Sequence, residues 1–177
     1  MTTILALAGS NSSTSINYKL VKYSVSLIKD HKISLLNMVN YPFPMYSEDF
    51  EKENGFSNSL VEFKDYFADS QGLILSVNEH NSNPSAYFKN VLDWLSRLER
   101  NFLVDTKVLL MSASPGKRGG AGAHEVIRNL LPRFGAEIVS TFSLPSFKTN
   151  FDVGKGILDP DLAQLHKEAI DKFLAEF

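Results

Sequence analysis

Short runs of consecutive apolar residues alternate along the chain with longer stretches in which apolar residues recur every three or four positions. Ile4-Leu5-Ala6-Leu7-Ala8, Gly72-Leu73-Ile74-Leu75-Ser76-Val77 and Val108-Leu109-Leu110-Met111 are nearly all apolar, as strands covered on both faces should be. Ile33, Leu35 and Leu36, and the run Ile138 to Phe142, predict two more strands. Between them lie helical periods. Ile16, Leu20, Tyr23, Leu27 and Ile28 predict one face of a helix ending near Asp30. Leu60, Phe63, Lys64 and Phe67 predict a second, and Phe88, Val91, Leu92, Leu95 and Leu98 a third. Val126, Ile127, Leu130, Leu131 and Phe134 predict a fourth, stopped by Gly135, a residue suited to a helix end. Asp159-Pro160 opens the last helix, with Leu162, Leu165, Ala169, Ile170 and Phe173 as its buried stripe. Two stretches stay outside these units and read as loops, residues 37–55 and 145–158.

Strands alternating with helices imply a parallel sheet covered on both faces, an α/β fold. The whole chain, residues 1–177, is expected to form one domain. Ligands in such folds bind at the carboxyl ends of strands, near the point where strand order reverses. The loops after the first, third and fourth strands are therefore the ones that can carry chemistry.

Composition narrows that chemistry by exclusion. Apolar residues make up 44% of the chain, enough for one sizeable core. The formal net charge is -2, which gives no electrostatic footprint for nucleic acid. No apolar run reaches the roughly 18 residues of a membrane span. Met1-Thr2-Thr3 enters the first strand without a basic segment, so a secretory signal is not expected and a cytoplasmic location is. Cysteine is absent, which excludes disulfides, thiolate metal sites, iron–sulfur clusters and cysteine nucleophiles. The 4 histidines include no pair at metal-ligand spacing, so no metal site is expected.

The first loop, Gly9-Ser10-Asn11-Ser12-Ser13-Thr14-Ser15-Ile16-Asn17, offers five hydroxyls and two amides between a buried strand and a helix start. A helix start suits an anion, and these side chains can add donors to the same phosphate. A capping turn alone would use one such residue. No Gly-Lys-Ser/Thr closes the loop, and it lacks Gly-x-Gly-x-x-Gly, so neither a Walker site nor the usual dinucleotide fingerprint is present. The second loop, Val77-Asn78-Glu79-His80-Asn81-Ser82-Asn83-Pro84-Ser85, can read the edge of a flat heterocycle or serve as an ordinary polar turn. The third, Ser112 to Gly122, has four glycines within seven residues, which allow a backbone to approach a ligand closely or a connection to flex. Lys117 and Arg118 within it can attract a phosphate-bearing second substrate or remain solvated. In the third helix Lys89, Asn90, Asp93 and Trp94 can form a partner-facing side or divide between core and solvent.

Taken together, the loops resemble those of the NAD(P)H-dependent FMN reductase family. Gly9, Ser10, Ser15 and Asn17 match its Gly-Ser-x-Arg-x-x-Ser-x-Asn pattern. Phe43-Pro44-Met45-Tyr46-Ser47-Glu48-Asp49 is similar to its Leu-Pro-x-Tyr-Asn-x-Asp segment. Asn78-Glu79-His80-Asn81, then Lys89-Asn90-Val91-Leu92-Asp93-Trp94-Leu95-Ser96-Arg97, resembles its Pro-Glu-Tyr-Asn loop and following Lys-Asn-x-x-Asp-Trp-x-Ser-Arg. Ser112 to Gly120 matches Ser-x-Ser-Pro-Gly-x-x-Gly-Gly. The resemblance runs from about Ile4 to Leu144.

It implies a flavodoxin-like three-layer α/β/α sandwich whose five-stranded parallel sheet has the order 2-1-3-4-5. It also implies an FMN site. Ser10, Ser12, Ser15, Ile16 and Asn17 would hold the phosphate. Asn78, Glu79, His80 and Asn81 would hold the isoalloxazine, largely through backbone groups, with Ser112, Pro115, Gly116 and Gly119 on its other side. Hydride from NADPH or NADH would pass through the flavin to a free flavin, a quinone or an azo compound, with no protein acid or base required. Family members are commonly dimers or tetramers, which places the Ser85–Arg100 helix at an interface. The alternative is an electron-transfer or flavin-binding protein that accepts no hydride. The mild net charge argues against a flavodoxin-type partner surface. Four departures stand out. Ser12 occupies the family's arginine position, Asn78 its proline and His80 its tyrosine, and the proline after that loop comes one place early, at Pro84.

Overall fold

A computed structural model describes residues 2–177. Its main sheet has five parallel strands: β1 (Thr3–Ala8), β2 (Lys32–Leu35), β3 (Gly72–Val77), β6 (Lys107–Ala113) and β7 (Glu137–Leu144), in the order β2-β1-β3-β6-β7. By sequence rank of the main strands this is 2-1-3-4-5, as the resemblance implies. The order reverses between β1 and β3, which pair in register from Ile4↔Gly72 to Ala8↔Ser76. Their carboxyl ends thus open the crevice in which ligands of such sheets sit.

Side chains alternate across the sheet and build two cores. Leu5, Leu7, Leu73, Leu75, Val108 and Leu110 face α3 (Asn58–Ala68), α4 (Ala86–Leu98) and α5 (Ala121–Leu130). Ile4, Ala6, Ile74, Leu109 and Met111 face α1 (Ile16–Ser26) and α7 (Pro160–Leu174). Each fully buried Leu, Ile, Val or Met side chain among them contributes about 1.5–3 kcal/mol. Helix starts are set by local chemistry. Ser15, Ser47, Ser57, Ser85 and Asp159 each accept a backbone N–H of the first turn.

The structure differs from the sequence pattern where tertiary packing overrides periodicity. Helix α1 stops at Ser26, and Leu27, expected on its buried face, is 47% exposed. In α7 the expected stripe residue Leu165 is 54% exposed, while the neighbouring His166 is 1% exposed. The predicted fourth helix splits. Pro132 lacks the N–H an α-helix would use, and Leu131–Phe134 form a 3-10 turn ended by Gly135 at φ 98°. Residues 37–55 are not a plain loop: they hold a 3-10 turn (Met38–Asn40) and the short helix α2 (Glu48–Asn54), whose first turn carries Glu48, Asp49 and Glu51 under the Ser47 cap. Residues 145–158 likewise contain the one-turn helix α6 (Phe147–Asn150) and a hairpin, β8 (Phe151–Asp152) and β9 (Gly156–Ile157). Among the described residues no helix is long and apolar enough to cross a membrane.

Candidate functional site

The three predicted loops meet at the carboxyl edge of β1, β3 and β6, and their tips are exposed. The first leaves β1 at Gly9, whose N–H donates to Ser76 O at 2.9 Å. A Cβ on Gly9 would lie 2.8 Å from the Phe88 ring, so only glycine lets the chain pass this close to α4. The loop then winds on its own hydroxyls. Ser12 N donates to Ser10 Oγ (3.3 Å), Thr14 N donates to Ser12 Oγ (3.3 Å), and Ser12 and Thr14 hydroxyls lie 3.2 Å apart. Ser15 caps α1 by accepting from Tyr18 N at 3.1 Å. The N–H groups of Ile16 and Asn17, in the first turn, have no partner within the helix.

Asn17 does something the pattern did not reveal. Its side chain is buried and turned inward, away from the loop tip. Its Oδ1 accepts from the Ser76 hydroxyl (2.7 Å) and from Ala113 N (2.9 Å), and its Nδ2 donates to Ala113 O (3.1 Å). One amide thus stitches the first loop to the ends of β3 and β6. What Asn17 leaves for a ligand is its backbone.

The second loop folds into a tight hairpin, β4 (Glu79–His80) with β5 (Asn83–Pro84). Asn81 and Ser82 form its two-residue tip at φ 53° and 61°, the left-handed pair of a type I′ turn. Asn78 precedes it with its Oδ1 buried and without a protein donor. His80 and Asn81 are exposed. Ser85, whose side chain carries no role in the sequence pattern, ties this loop to the first. Its hydroxyl donates to Gly9 O (3.0 Å) and accepts from Phe88 N (3.1 Å). The available signal was its place directly before a helical period.

In the third loop Ser112 is buried and its hydroxyl donates to Gly119 O at 2.7 Å, with the Ser143 hydroxyl 2.8 Å away. Gly119 and Gly120 hold φ of 60° and 81°, so the turn into α5 uses two left-handed residues. Pro115, Gly116, Lys117 and Arg118 form an exposed tip. It rests on the residues after β7, where Ser146 N donates to Gly116 O (2.9 Å) and Phe147 N to Ser114 O (3.0 Å).

Beside these loops the segment before α2 is fixed to α4. Pro44 O accepts from Asn90 Nδ2 (2.9 Å) and from Trp94 Nε1 (2.8 Å), and Tyr46 N donates to Asn90 Oδ1 (2.7 Å). Of the four α4 residues that could face a partner, Asn90 and Trp94 are therefore spent within the chain. Lys89 and Asp93 remain at the surface, paired at 2.5 Å. Tyr87 donates to Tyr41 O at 2.8 Å, and burial pushes its hydroxyl pKa well up. Arg97 grips Glu51 at 2.8 Å through two nitrogens and holds that carboxyl below its usual range. At the start of α5 burial lowers the His124 pKa, and its Nε2 lies 3.3 Å from Leu110 O. A groove of about 620 Å³ runs between α1 and α7, lined by residues that include Tyr23, Ala163, His166 and Ile170. It shares no residue with the three loops.

The sequence model of the family described as NADPH-dependent FMN reductase matches residues 2–149. The chain belongs to this family. Among curated family-like proteins, the quinone reductase of Escherichia coli (strain K12) is 31% identical over 88 residues, half of this chain and 47% of that protein. That match spans about half the relative's length. The NADPH:quinone oxidoreductase of Arabidopsis thaliana is 26% identical over 127 residues, 70% of this chain and 63% of that one. Among solved structures, the flavoenzyme NAD(P)H:(acceptor) oxidoreductase FerB from Paracoccus denitrificans superposes with a TM-score of 0.80 at 22% identity, covering 99% of this chain and 96% of that one. At that identity the likeness bears on the fold, and the family membership rests on the sequence match.

Proposed function

We propose that the chain is an FMN-dependent oxidoreductase that takes a hydride from NADPH or NADH and reduces a small acceptor such as a quinone or a free flavin. The observation that carries this reading is the convergence of three donor-rich loops at the strand-order reversal, in a chain of this family. The residues fit FMN on two independent points. The hydroxyls of Ser10, Ser12 and Thr14 gather at the open start of α1, where a phosphate finds both donors and a positive helix end. Asn78 Oδ1 is a buried acceptor lacking a donor at the head of the ring loop, which suits an N–H of a bound heterocycle.

Roles then divide by loop. Ser10, Ser12, Ser15 and the backbone of Ile16 and Asn17 hold the phosphate. Asn78, Glu79, His80 and Asn81 bear on one side of the ring, and Ser112, Pro115, Gly116 and Gly119 on the other. When bound, FMN supplies the hydride acceptor and donor, so the protein supplies position and electrostatics. With Ser12 in place of arginine, the phosphate rests on neutral donors and the helix end, without a bidentate cation. Acceptor and nicotinamide enter over the exposed loop tips.

The protein acts as a cytoplasmic homo-oligomer, dimer or tetramer, with the outer edge of the Ser85–Arg100 helix and its attached segment at the interface. Met45, 69% exposed on that segment, supports this placement. Light scattering on a sizing column reads the assembly. For the activity, purified protein should bind FMN with a shifted flavin spectrum and then oxidise NADPH or NADH with a quinone acceptor. Absence of FMN uptake, or of turnover with either nicotinamide, would overturn the reading.

A further inference from the structure

Helix α5 lacks a side-chain cap of its own, because Gly120 occupies the N-cap. The missing acceptor comes from another loop. Glu79 Oε2 accepts from Ala123 N in the first turn of α5 at 3.1 Å. A carboxylate at a helix start is stabilised by both the hydrogen bond and the positive end of the dipole. Around this bond the two loops touch without spare room. A Cβ on Gly122 would lie 2.6 Å from Ser82 O and 2.9 Å from Glu79 Oε2.

The hairpin that carries Glu79 is not one its sequence favours. A type I′ turn prefers glycine at its second central position, and Ser82 stands there at φ 61°. Its two strands contribute only two residue pairs. A left-handed serine in so short a hairpin persists when its surroundings determine it. The surroundings here are α5 and the Glu79 bond.

We propose that Glu79 is a positioning residue that locks the second and third loops into one rigid unit, its carboxylate serving α5 while its backbone stays with the ligand-facing loop. The inference rests on the flavin reading for what the loops hold, and on this chain's own contacts for the lock. It assigns the Glu79 side chain away from the ligand. It makes the two sides of the ring site move together, so that ring contacts on either side depend on a bond made on neither.

The test compares Glu79→Ala, Glu79→Asp and Glu79→Gln with the parent chain. Hydrogen exchange on the FMN-free protein should rise together in residues 79–84 and 121–124 of Glu79→Ala. The FMN dissociation constant, read by flavin fluorescence quenching, should rise at least fivefold. Glu79→Gln keeps an amide oxygen that can accept from Ala123 N, and should return both readouts to within threefold of the parent. Glu79→Asp is one methylene too short and should behave as Glu79→Ala, which keeps the test intact if the alanine variant does not fold. Exchange rising in one segment only, a change in FMN affinity below fivefold, or failure of glutamine to restore it would overturn the proposal. If the parent chain itself takes up no FMN, the flavin reading fails, while the exchange arm still decides the lock.

Discussion

Two segments lie outside the strand–helix units, residues 37–55 and 145–158, and they are anchored by different contacts. The first packs Tyr41 and Phe43 on Phe63, and Tyr46 and Phe50 on Trp94, and adds side-chain polar bonds to α4. Pro44 O receives two donors from α4, Tyr46 N donates to Asn90, and Arg97 grips Glu51. The second rests on rings and on backbone bonds to the third loop. Phe147 stacks on Phe151 with centroids 4.7 Å apart, and Phe151 meets Tyr23 edge-on at 5.7 Å. Tyr23 in turn stacks on His166 at 5.4 Å, so the chain of rings runs from the loop into the α1–α7 face. The difference tracks the platforms. Helix α4 presents Asn90 and Trp94, whose donors must find acceptors once buried. Helix α1 presents Tyr23, a flat surface on which rings pack.

The sharpest break in the polar segment is Trp94→Ala. It removes a buried ring that meets Tyr46 at 5.0 Å and Phe50 at 6.0 Å, together with the donor to Pro44. A loss of about 3–5 kcal/mol in urea unfolding is expected for truncating a buried aromatic of this size. Trp94→Phe separates the two contributions. Pro44 O keeps its Asn90 donor, so the loss should fall to about 1 kcal/mol.

In the aromatic segment the corresponding break is backbone-centred. Gly156 sits at φ 81°, and a Cβ there would lie 2.2 Å from the Tyr23 ring. That ring is hemmed by Phe151 and His166 and has little freedom to retreat. Gly156→Ala should cost about 1–3 kcal/mol, from the strained left-handed conformation alone upward, measured in the same titration.

Acid should separate the segments more cleanly than any truncation. His166 is buried, its Nε2 2.8 Å from the Ser24 hydroxyl, and burial lowers its pKa to about 4. An unfolded-chain histidine titrates near 6.5, so between about pH 6.5 and 4 the unfolded state binds the extra proton and stability falls as pH falls. Below the folded pKa no further loss comes from this group. The span allows at most about 3.5 kcal/mol, from about 1.4 kcal/mol per pKa unit. His166→Phe should flatten the unfolding free energy against pH over that window. Hydrogen exchange during acidification should rise first in α1, α7 and residues 151–157, and not in residues 44–57.

The strands were legible because a strand buried on both faces must be apolar throughout, and β1, β3 and β6 are. The three candidate loops followed from the strand ends, and the sheet order from motifs whose order along the chain matches the family. Other features were hidden by their nature. The short helix over 48–54 has no buried residue, so no periodic stripe announces it. His166 occupies a core position that a hydropathy pattern assigns to its neighbour Leu165, because a histidine enters the core only when something answers its nitrogens. Asn17 and Glu79 lie in two of the candidate loops, but their bonds run to Ala113 and Ala123, far along the chain. Spacing cannot show which way a side chain turns.

The smallest effect tests whether the polar segment is held by its ion pair or by its buried bonds. Glu51 and Arg97 form the best-shaped ion pair near α4, two nitrogens on two oxygens at 2.8 Å. Yet Arg97 is half exposed, and water and salt weaken exposed pairs whatever their geometry. The buried Asn90 and Trp94 bonds meet no such competition. Glu51→Gln should therefore lower the melting temperature slightly at low salt and leave it level with the parent at 1 M salt. If the variant instead falls as far as Trp94→Phe at both salt concentrations, the ion pair and not the buried Pro44 bonds fixes this segment on α4, and the contrast with the aromatic segment narrows to one charged contact.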